Sequence, residues 1–299
     1  MPADRPAAAD QADLDLLLAA GREAAALALT HFEKGARQWI KANGTPVSEA
    51  DIAVGELLKT RLRQARPDYG WLSEEDEDSP ERLGRTSTFI IDPIDGTREF
   101  LAGRPEWTIS VAVVREGRPA VGLLAAPSLG ETYWALRSGG AFRDGVRLAA
   151  SGAASLVGAR LAGPRRLLRS VAERAGAAAA DIRFVGSLAY RLSLIALDRA
   201  EVAVGAEGSR EWDLAAADIL LRESGAALTS LSGDSIRYNV ADTMQPLVMA
   251  AAPRLQAVAR ELVHAAIIAG SATPPSTHAD DPGPRPAAPI DPVVGGGDG

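Results

Sequence analysis

The chain of 299 residues contains no cysteine. Disulfides, thiolate nucleophiles and zinc–thiolate sites are therefore excluded. Aromatic residues make up only 5% of the chain, whereas hydrophobic residues as a whole make up 46%. A sizeable core is therefore expected, and it must rely on alanine and aliphatic side chains. At this length the chain can hold one large domain or two smaller ones.

Basic residues are in the minority, with 32 Lys and Arg against 39 Asp and Glu and a formal net charge of -7. This balance argues against binding to a nucleic-acid polymer, which needs a broad basic face. It leaves room for a small phosphorylated ligand whose charge a bound metal neutralises. No segment approaches the roughly 18 uninterrupted apolar residues of a membrane helix, and residues 1–13 do not resemble a signal peptide. We therefore expect a cytoplasmic protein without membrane insertion.

Composition divides the chain into four regions. Residues 1–13, rich in Ala and Asp, are predicted to be a disordered tail. Residues 14–150 are predicted to form an α+β subdomain that carries a metal site, and residues 151–270 an α/β subdomain of shorter alternating elements. Residues 271–299 are dense in Pro and Gly and have no periodic apolar face, so a second disordered tail is expected.

Hydrophobic periodicity indicates the main elements. Helices are predicted at residues 14–29, 48–65, 165–175, 188–197, 213–223 and 254–269. Strands are predicted at residues 88–91, 108–114, 120–125, 131–136, 159–162, 182–185, 202–204, 227–229 and 247–250. The run from 107 to 136, with Gly-containing turns between its strands, is typical of a β-meander.

The most informative stretch is residues 92–97, which read Asp-Pro-Ile-Asp-Gly-Thr and follow the apolar run 89–91. The apolar run predicts a buried strand, so the acids emerge at its carboxyl end, where α/β folds tend to bind ligands. Carboxylates at Asp92 and Asp95, three residues apart, suit a hard divalent cation such as Mg²⁺. Thr97, just past the turn, is placed to orient a water molecule. If a helix begins there, free N–H groups of the turn are placed to hold phosphate oxygens.

Two further acidic clusters lie at element boundaries, at Glu74-Glu75 and at Asp213. A phosphatase that uses two metals needs carboxylates from separate segments to converge. Each cluster also has a plain structural interpretation. The first is then a solvated acidic loop, Asp213 a favourable helix N-terminal acid, and the pair Asp92 and Asp95 a turn with side-chain-to-backbone bonds. Spacing alone does not prove that the clusters converge.

Three motifs, taken together and in this order, resemble the signatures of the inositol monophosphatase superfamily. They are residues 71–75 (Trp-Leu-Ser-Glu-Glu), 91–97 (Ile-Asp-Pro-Ile-Asp-Gly-Thr) and 212–218 (Trp-Asp-Leu-Ala-Ala-Ala-Asp). The resemblance covers about residues 14–269. It implies an α/β (α+β) fold layered as an αβαβα sandwich, and lithium-sensitive hydrolysis of a phosphomonoester with two or three Mg²⁺ ions. It also implies that a homodimer is possible.

The same resemblance assigns site residues. The implied metal ligands are Glu74, Asp92, the Ile94 carbonyl, Asp95 and Asp213. The implied catalytic residues are Glu74 and Thr97, which position the water, together with Asp51 near the metals, whose plain interpretation is a surface helix acid. Glu75 is expected to support the site rather than to bind metal. The implied substrate contacts are Glu74, Ile94, Asp95, Gly96, Thr97, Ser187, Arg191 and Asp213.

Residues 98–100 (Arg-Glu-Phe) and the segment 186–191 are similar to the 3'(2'),5'-bisphosphate nucleotidases of the CysQ type. That similarity implies removal of the 3'-phosphate from adenosine 3',5'-bisphosphate, a by-product of sulfate assimilation. Arg191 is then expected to hold the remaining phosphate, with Arg165 and Arg166 as weaker candidates and ordinary surface charge as their plain interpretation. An inositol or other sugar-phosphate phosphatase is the sibling hypothesis.

Other classes find less support. Aspartyl-phosphate phosphatases use Asp-x-Asp, whereas the spacing here is Asp-x-x-Asp. A serine hydrolase is disfavoured because there is no Gly-x-Ser-x-Gly elbow. The three histidines lie outside every acidic cluster, so histidine-led acid–base chemistry has no support. A non-catalytic binding protein on the same fold remains a third hypothesis, against which the complete acid set argues.

Overall fold

The structure, a computed structural model, describes residues 7–42, 44–177 and 180–271. The helices are α1 (Ala8–Lys34), α2 (Glu49–Ala65), α3 (Thr97–Leu101), α4 (Arg165–Arg174), α5 (Leu188–Ser193), α6 (Glu211–Glu223) and α7 (Gln256–Ser271). The strands before residue 150 are β1 (Gln38–Ile40), β2 (Pro46–Ser48), β3 (Gly70–Ser73), β4 (Ser87–Asp95), β5 (Thr108–Arg115), β6 (Arg118–Ala126), β7 (Glu131–Leu136), β8 (Gly140–Arg143) and β9 (Val146–Arg147). Those after it are β10 (Arg160–Ala162), β11 (Asp181–Arg183), β12 (Val202–Val204), β13 (Ala227–Ser230) and β14 (Val248–Ala251).

The strands form two large sheets and one small hairpin. The first sheet has seven strands in the order β3-β4-β5-β6-β7-β8-β9, and the second has five in the order β11-β10-β12-β14-β13. In the first sheet β3 and β4 are parallel and every other pair is antiparallel. The separate hairpin of β1 and β2 precedes α2.

The layers follow from which apolar faces pack together. Helices α1 and α2 cover one face of the first sheet, in a core that contains Leu17, Leu58 and Ile91. Helices α5 and α6 cover its other face and also touch the second sheet, in a core rich in alanine and leucine. Helices α4 and α7 close the far face of the second sheet. This order of layers is αβαβα, so the predicted fold is confirmed.

Helix α1 begins earlier than the sequence predicts. Residues 8–13, expected in a disordered tail, are helical, because Asp10 and Asp13 are buried there and accept hydrogen bonds from Arg115. Charge-assisted bonds of this kind offset the cost of burying the carboxylates. Of the two tails predicted to be disordered, residues 1–6 and 272–299 lie outside the described residues.

Most other elements agree with the periodicity, but the short α5 does not. Its helical part ends at Ser193, four residues before the predicted end, and continues as turns. The helices in the described part of the chain are all too short or too polar to cross a bilayer.

Candidate metal-dependent active site

The site lies at the end of the first sheet where β3 and β4 stop. Because these strands are parallel, with Ser73 opposite Ile91, their carboxyl ends meet at one edge. Glu74 follows β3 directly, and Asp92 and Asp95 lie in the last four residues of β4. Parallel pairing therefore brings the first two acidic clusters together, as α/β sheets commonly do at ligand sites.

A bulge in β4 presents the two aspartates. The pairing of β4 with β5 is regular up to Asp92 opposite Ser110 and resumes at Asp95 opposite Thr108. Pro93 lies in the irregular stretch, where its missing N–H removes a ladder hydrogen bond. Asp92 Oδ1 instead accepts a hydrogen bond from the Ile94 N–H at 3.0 Å. The bulge therefore directs acids and carbonyls away from the ladder and toward the cavity.

Asp213, the third acidic position, lies on helix α6, which packs on the same sheet. Asp213 lies in its first turn, and its Oδ2 accepts a hydrogen bond from the Arg210 N–H at 2.7 Å. One carboxylate oxygen from each of Asp92, Asp95 and Asp213 lies within 4.8 Å of the others. The convergence that spacing alone did not prove is present in the structure.

Burial and mutual repulsion raise the pKa values of these acids. Desolvation is the main cause at Asp92, with the charges of Glu74 and Asp95 adding to it, and the pKa of Asp92 lies well above its usual range. The pKa of Asp213 is raised in the same way. The pKa of Asp95 rises to about 6, because burial outweighs its hydrogen bonds from Ser187 and the start of α5. Three acids forced together in this way need a counter-charge at neutral pH.

A divalent cation fits this need. Hard cations such as Mg²⁺ are bound through oxygen ligands, and three carboxylates from two segments, β4 and α6, lie close together here. Glu74 and Ile94 line the same cavity. The cluster of Asp92, Asp95 and Asp213 could therefore hold a metal ion, and the full ligand set with Glu74 and the Ile94 carbonyl stays a prediction.

Thr97 and Asp51 form a pair beside the cluster. Thr97 Oγ1 lies 3.0 Å from Asp51 Oδ1 and 3.1 Å from the Ile94 carbonyl, and either can accept its proton. Asp51 caps α2, where its Oδ2 accepts bonds from the N–H and hydroxyl of Ser48. Burial raises the pKa of Asp51. Asp51 is therefore a buried partner of Thr97, and its interpretation as a surface helix acid is wrong.

Replacing Thr97 by Val is expected to lower kcat for phosphomonoester hydrolysis by about 10²–10⁴-fold, because the hydroxyl that orients the water is removed while the side-chain volume is kept. Thr97→Ser, which retains the hydroxyl, is the matched control. Phosphate release under saturating substrate measures both variants. Equal kcat for Thr97→Val and the wild type would contradict the role. Asp51→Asn is a poorer probe, because it also disturbs the cap of α2.

Glu74 is held by the β1–β2 hairpin. Lys41 Nζ lies 3.2 Å from Glu74 Oε1 and 2.7 Å from Glu75 Oε1. Burial raises the pKa of Glu75 to about 7 despite the bond from Lys41. Glu75 is thus engaged with Lys41 beside the cluster, as expected of a supporting residue. Lys41 was not singled out from the sequence, because nothing local connects it with residues more than thirty positions away.

Ser187 binds Asp95 rather than lining the cavity. Its hydroxyl donates to Asp95 Oδ2 and also accepts the N–H of Tyr190 as the cap of α5. The N–H groups of Leu188 and Ala189 donate to the same Asp95 carboxylate, at 3.1 and 2.7 Å. Gly96, the residue after Asp95, has φ +93°, and a Cβ on it would approach Ser187 to 3.1 Å. Glycine is needed because of both the left-handed backbone and this close approach.

Arg191, expected at a second phosphate, points into the interior instead. Its side chain is 4% exposed, and Nε donates to the Val185 carbonyl at 2.7 Å and Nη1 to that of Val204 at 3.2 Å. In this structure the guanidinium does not reach the cavity. The expectation failed because the direction of the side chain depends on how α5 packs, which the sequence does not reveal.

The cavity at the acid cluster has a volume of about 1200 Å³. Its outer wall carries three arginines from the first turns of α4, namely Arg165, Arg166 and Arg169. Arg98 and the half-exposed ring of Phe184 also line this cavity. Arg165 and Arg166 were the weaker candidates from the sequence. Arg169, four residues after Arg165 and so on the same face of the helix, was missed although helical spacing indicates it.

An αβαβα fold in which acids from the end of β4 and the start of α6 converge on one cavity is an arrangement that suits metal-dependent phosphate chemistry. The model of the inositol monophosphatase family matches residues 10–269. The chain therefore belongs to that family, and the resemblance seen in its motifs is confirmed.

Relatives within the family differ in their named substrates. The chain is 38% identical over 239 residues to a histidinol-phosphatase of Mycobacterium tuberculosis, which covers 73% of this chain and 88% of that protein. It is 30% identical over 220 residues to the 3'(2'),5'-bisphosphate nucleotidase CysQ of Aggregatibacter actinomycetemcomitans, covering 70% and 80%. Among solved structures, an IMPase of Thermotoga maritima has a TM-score of 0.74 at 26% identity, covering 87% and 99%. These names agree on phosphate removal but not on one substrate.

Proposed function

We propose that the protein is a Mg²⁺-dependent 3'(2'),5'-bisphosphate nucleotidase, which converts adenosine 3',5'-bisphosphate to AMP and phosphate in the cytoplasm. The observation that carries the proposal is the group of arginines on α4, in the same cavity as the acid cluster. A substrate with two phosphates needs two regions of positive charge. In this proposal the acid cluster, with its metal ions, binds the phosphate that is removed. The arginines bind the phosphate that stays on the product.

The arginines are available to a ligand. Among residues 7–42, 44–177 and 180–271, no hydrogen bond or ion pair engages the guanidinium groups of Arg165, Arg166 and Arg169. By contrast, Arg183 near the same cavity is paired with Glu106. Guanidinium groups bind phosphate through two parallel N–H donors, so free arginines at a cavity wall favour a phosphorylated ligand. An inositol monophosphate or a sugar monophosphate has no second phosphate to occupy them.

Each part of the site has a distinct task in this proposal. Asp92, Asp95 and Asp213 would hold Mg²⁺, which would supply positive charge to the phosphate oxygens and promote ionisation of the attacking water. Thr97, fixed by Asp51, orients that water toward phosphorus. Backbone N–H groups at Gly96 and Thr97, where α3 begins, offer hydrogen bonds to phosphate oxygens. The arginines of α4 position the other end of the substrate.

Two alternative substrates follow from the relatives. Histidinol phosphate is the substrate named for the Mycobacterium tuberculosis protein, and inositol 1-phosphate is the sibling hypothesis from the sequence. Histidinol phosphate carries an amine, for which free carboxylates in the outer cavity would be the natural partners. The outer carboxylates here, Glu99 and Glu106, are both paired with arginines. This arrangement favours an anionic substrate over a cationic one.

The test compares kcat/KM for adenosine 3',5'-bisphosphate, histidinol phosphate and inositol 1-phosphate in one phosphate-release assay with Mg²⁺. The nucleotide is expected to be the best substrate. A higher kcat/KM for either of the other two would overturn the nucleotidase assignment while leaving the reaction class intact.

The double variant Arg165→Gln/Arg169→Gln is expected to raise KM for the nucleotide by about 10- to 100-fold, because hydrogen bonds to a charged group contribute about 1.5–3 kcal/mol. KM for inositol 1-phosphate should change little. Arg174→Gln, on the same helix but away from the cavity wall, is the matched control. An unchanged KM for the nucleotide in the double variant would exclude these arginines as phosphate ligands.

A further inference from the structure

Phe184 stands out among the residues of the outer cavity. It follows β11 in an extended segment in which Val185 faces the core and is 1% exposed. Side chains alternate along such a segment, so Phe184 faces the opposite way, where it is 51% exposed and lines the cavity. A single exposed aromatic is common on protein surfaces. What is uncommon here is the group that lies beneath its ring.

Arg191 lies against one face of that ring. Its guanidinium carbon is 4.8 Å from the centroid of Phe184, within the range of a cation–π contact. Its N–H groups are fixed by the carbonyls of Val185 and Val204. Within the described residues it forms no ion pair, and burial lowers its pKa. The charges of Asp95 and Glu99 act on it without a direct ion pair. A buried cation without such a pair is costly, so its contacts with the two carbonyls and the ring fix its position.

Those contacts join three neighbouring features. Arg191 ties the segment 184–186 to β12 and supports the Phe184 ring from behind. Gly186, next along, lies so close to Glu99 that a Cβ would approach Glu99 Oε1 to 2.3 Å. Glu99 and Arg191 thus lie against this segment, and the Phe184 ring at the cavity rests on a guanidinium that two carbonyls fix.

We propose that Phe184 is a specificity-determining residue whose outer ring face stacks on the flat base of the nucleotide, and that Arg191 is a positioning residue that holds the ring in place. This inference rests on the proposed nucleotidase function and extends it to recognition of the base. Flat aromatic surfaces bind bases of any identity through their π-faces. The site therefore selects a planar group beyond the two phosphates, with little discrimination among bases.

The test uses two bisphosphates that differ in the planar group. Adenosine 3',5'-bisphosphate has a base, whereas fructose 1,6-bisphosphate has two phosphates and no flat ring. Phe184→Leu keeps apolar volume but removes the ring, and it is expected to raise KM for the nucleotide about tenfold with kcat unchanged. KM for the sugar bisphosphate should change less than about twofold. Phe184→Trp should retain the wild-type KM for the nucleotide, because a larger ring also stacks.

Arg191→Met should raise KM for the nucleotide as Phe184→Leu does. Combining the two substitutions should add little further, because each of them removes the same stacking surface for the base. Should Arg191→Met fail to fold, the Phe184 variants decide alone. Equal KM values for the nucleotide in Phe184→Leu and the wild type would overturn the stacking role. So would an equal rise in KM for both bisphosphates. If instead the wild type hydrolyses inositol 1-phosphate better than the nucleotide, the proposed function itself fails.

Discussion

Asp92→Asn is expected to lower kcat/KM for phosphate release by at least about 10³-fold, which corresponds to roughly 4 kcal/mol of transition-state stabilisation. The substitution removes one negative charge from the three-acid cluster and so weakens metal binding. It preserves local structure, because the amide oxygen still accepts the hydrogen bond from the Ile94 N–H. The assay is Mg²⁺-dependent turnover, measured over a range of Mg²⁺ concentrations.

Asp92 is a sharper probe than Asp95. The Asp95 carboxylate also accepts hydrogen bonds from Ser187, Leu188 and Ala189, so an amide there would disturb the start of α5 as well as the metal site. Asp68→Asn, at an exposed turn between α2 and β3, is the matched control and should leave turnover unchanged. Wild-type kcat/KM in Asp92→Asn would remove the central support for metal-dependent catalysis.

Removing the metal should destabilise the protein more at high pH than at low pH. In the metal-free protein the pKa of Asp95 is raised to about 6, and those of Asp92 and Asp213 are raised further above their usual range. Over the interval between the unfolded pKa near 4 and these folded values, the native state binds more protons than the unfolded chain. The free energy of unfolding therefore falls as pH rises through that interval.

The measurement is the thermal midpoint with Mg²⁺ and with a chelator, at pH 5 and at pH 8. We expect the chelator to lower Tm at both pH values, and by at least about 5 °C more at pH 8. In the chelator at pH 8, Asp92→Asn should melt at or above the wild-type temperature, because one of the repelling charges is gone. A chelator effect of the same size at both pH values would contradict this account of the cluster.

Local sequence predicted the parts of the site that depend on one segment. The turn at residues 92–97 was predicted as a metal turn because a buried strand, a proline and two acids lie within a few residues. The helix predicted to start at residue 48 is present as α2, with Ser48 as its cap, and Asp51 in its first turn contacts Thr97. The turn and the cap depend on contacts between near neighbours, whereas the contact of Asp51 with Thr97 joins residues 46 positions apart.

Residues that depend on packing between distant segments were harder to predict. Ser187 and Arg191 were both expected to contact substrate, but α5 packs so that the first binds Asp95 and the second supports Phe184. Lys41 was missed because its partners, Glu74 and Glu75, are remote in sequence. Phe184 was missed because its exposure in the cavity depends on how separate segments pack. The division into subdomains at residue 150, the homodimer and the cytoplasmic location stay predictions.

Asp95 takes part in two sets of contacts, one with the other acids of the cluster and one with helix α5, and so connects the two halves of the chain at the site. The Asp95 carboxylate belongs to the acid cluster and also accepts hydrogen bonds from the start of α5, a helix that lies between the two sheets. Asp213 reaches the cluster from α6 in that same middle layer. The acids thus come from both sides of residue 150, and neither half alone carries the full set. Replacing either half of the fold would therefore remove acids from the cluster, whereas changes confined to the α4 side of the cavity would leave all three in place.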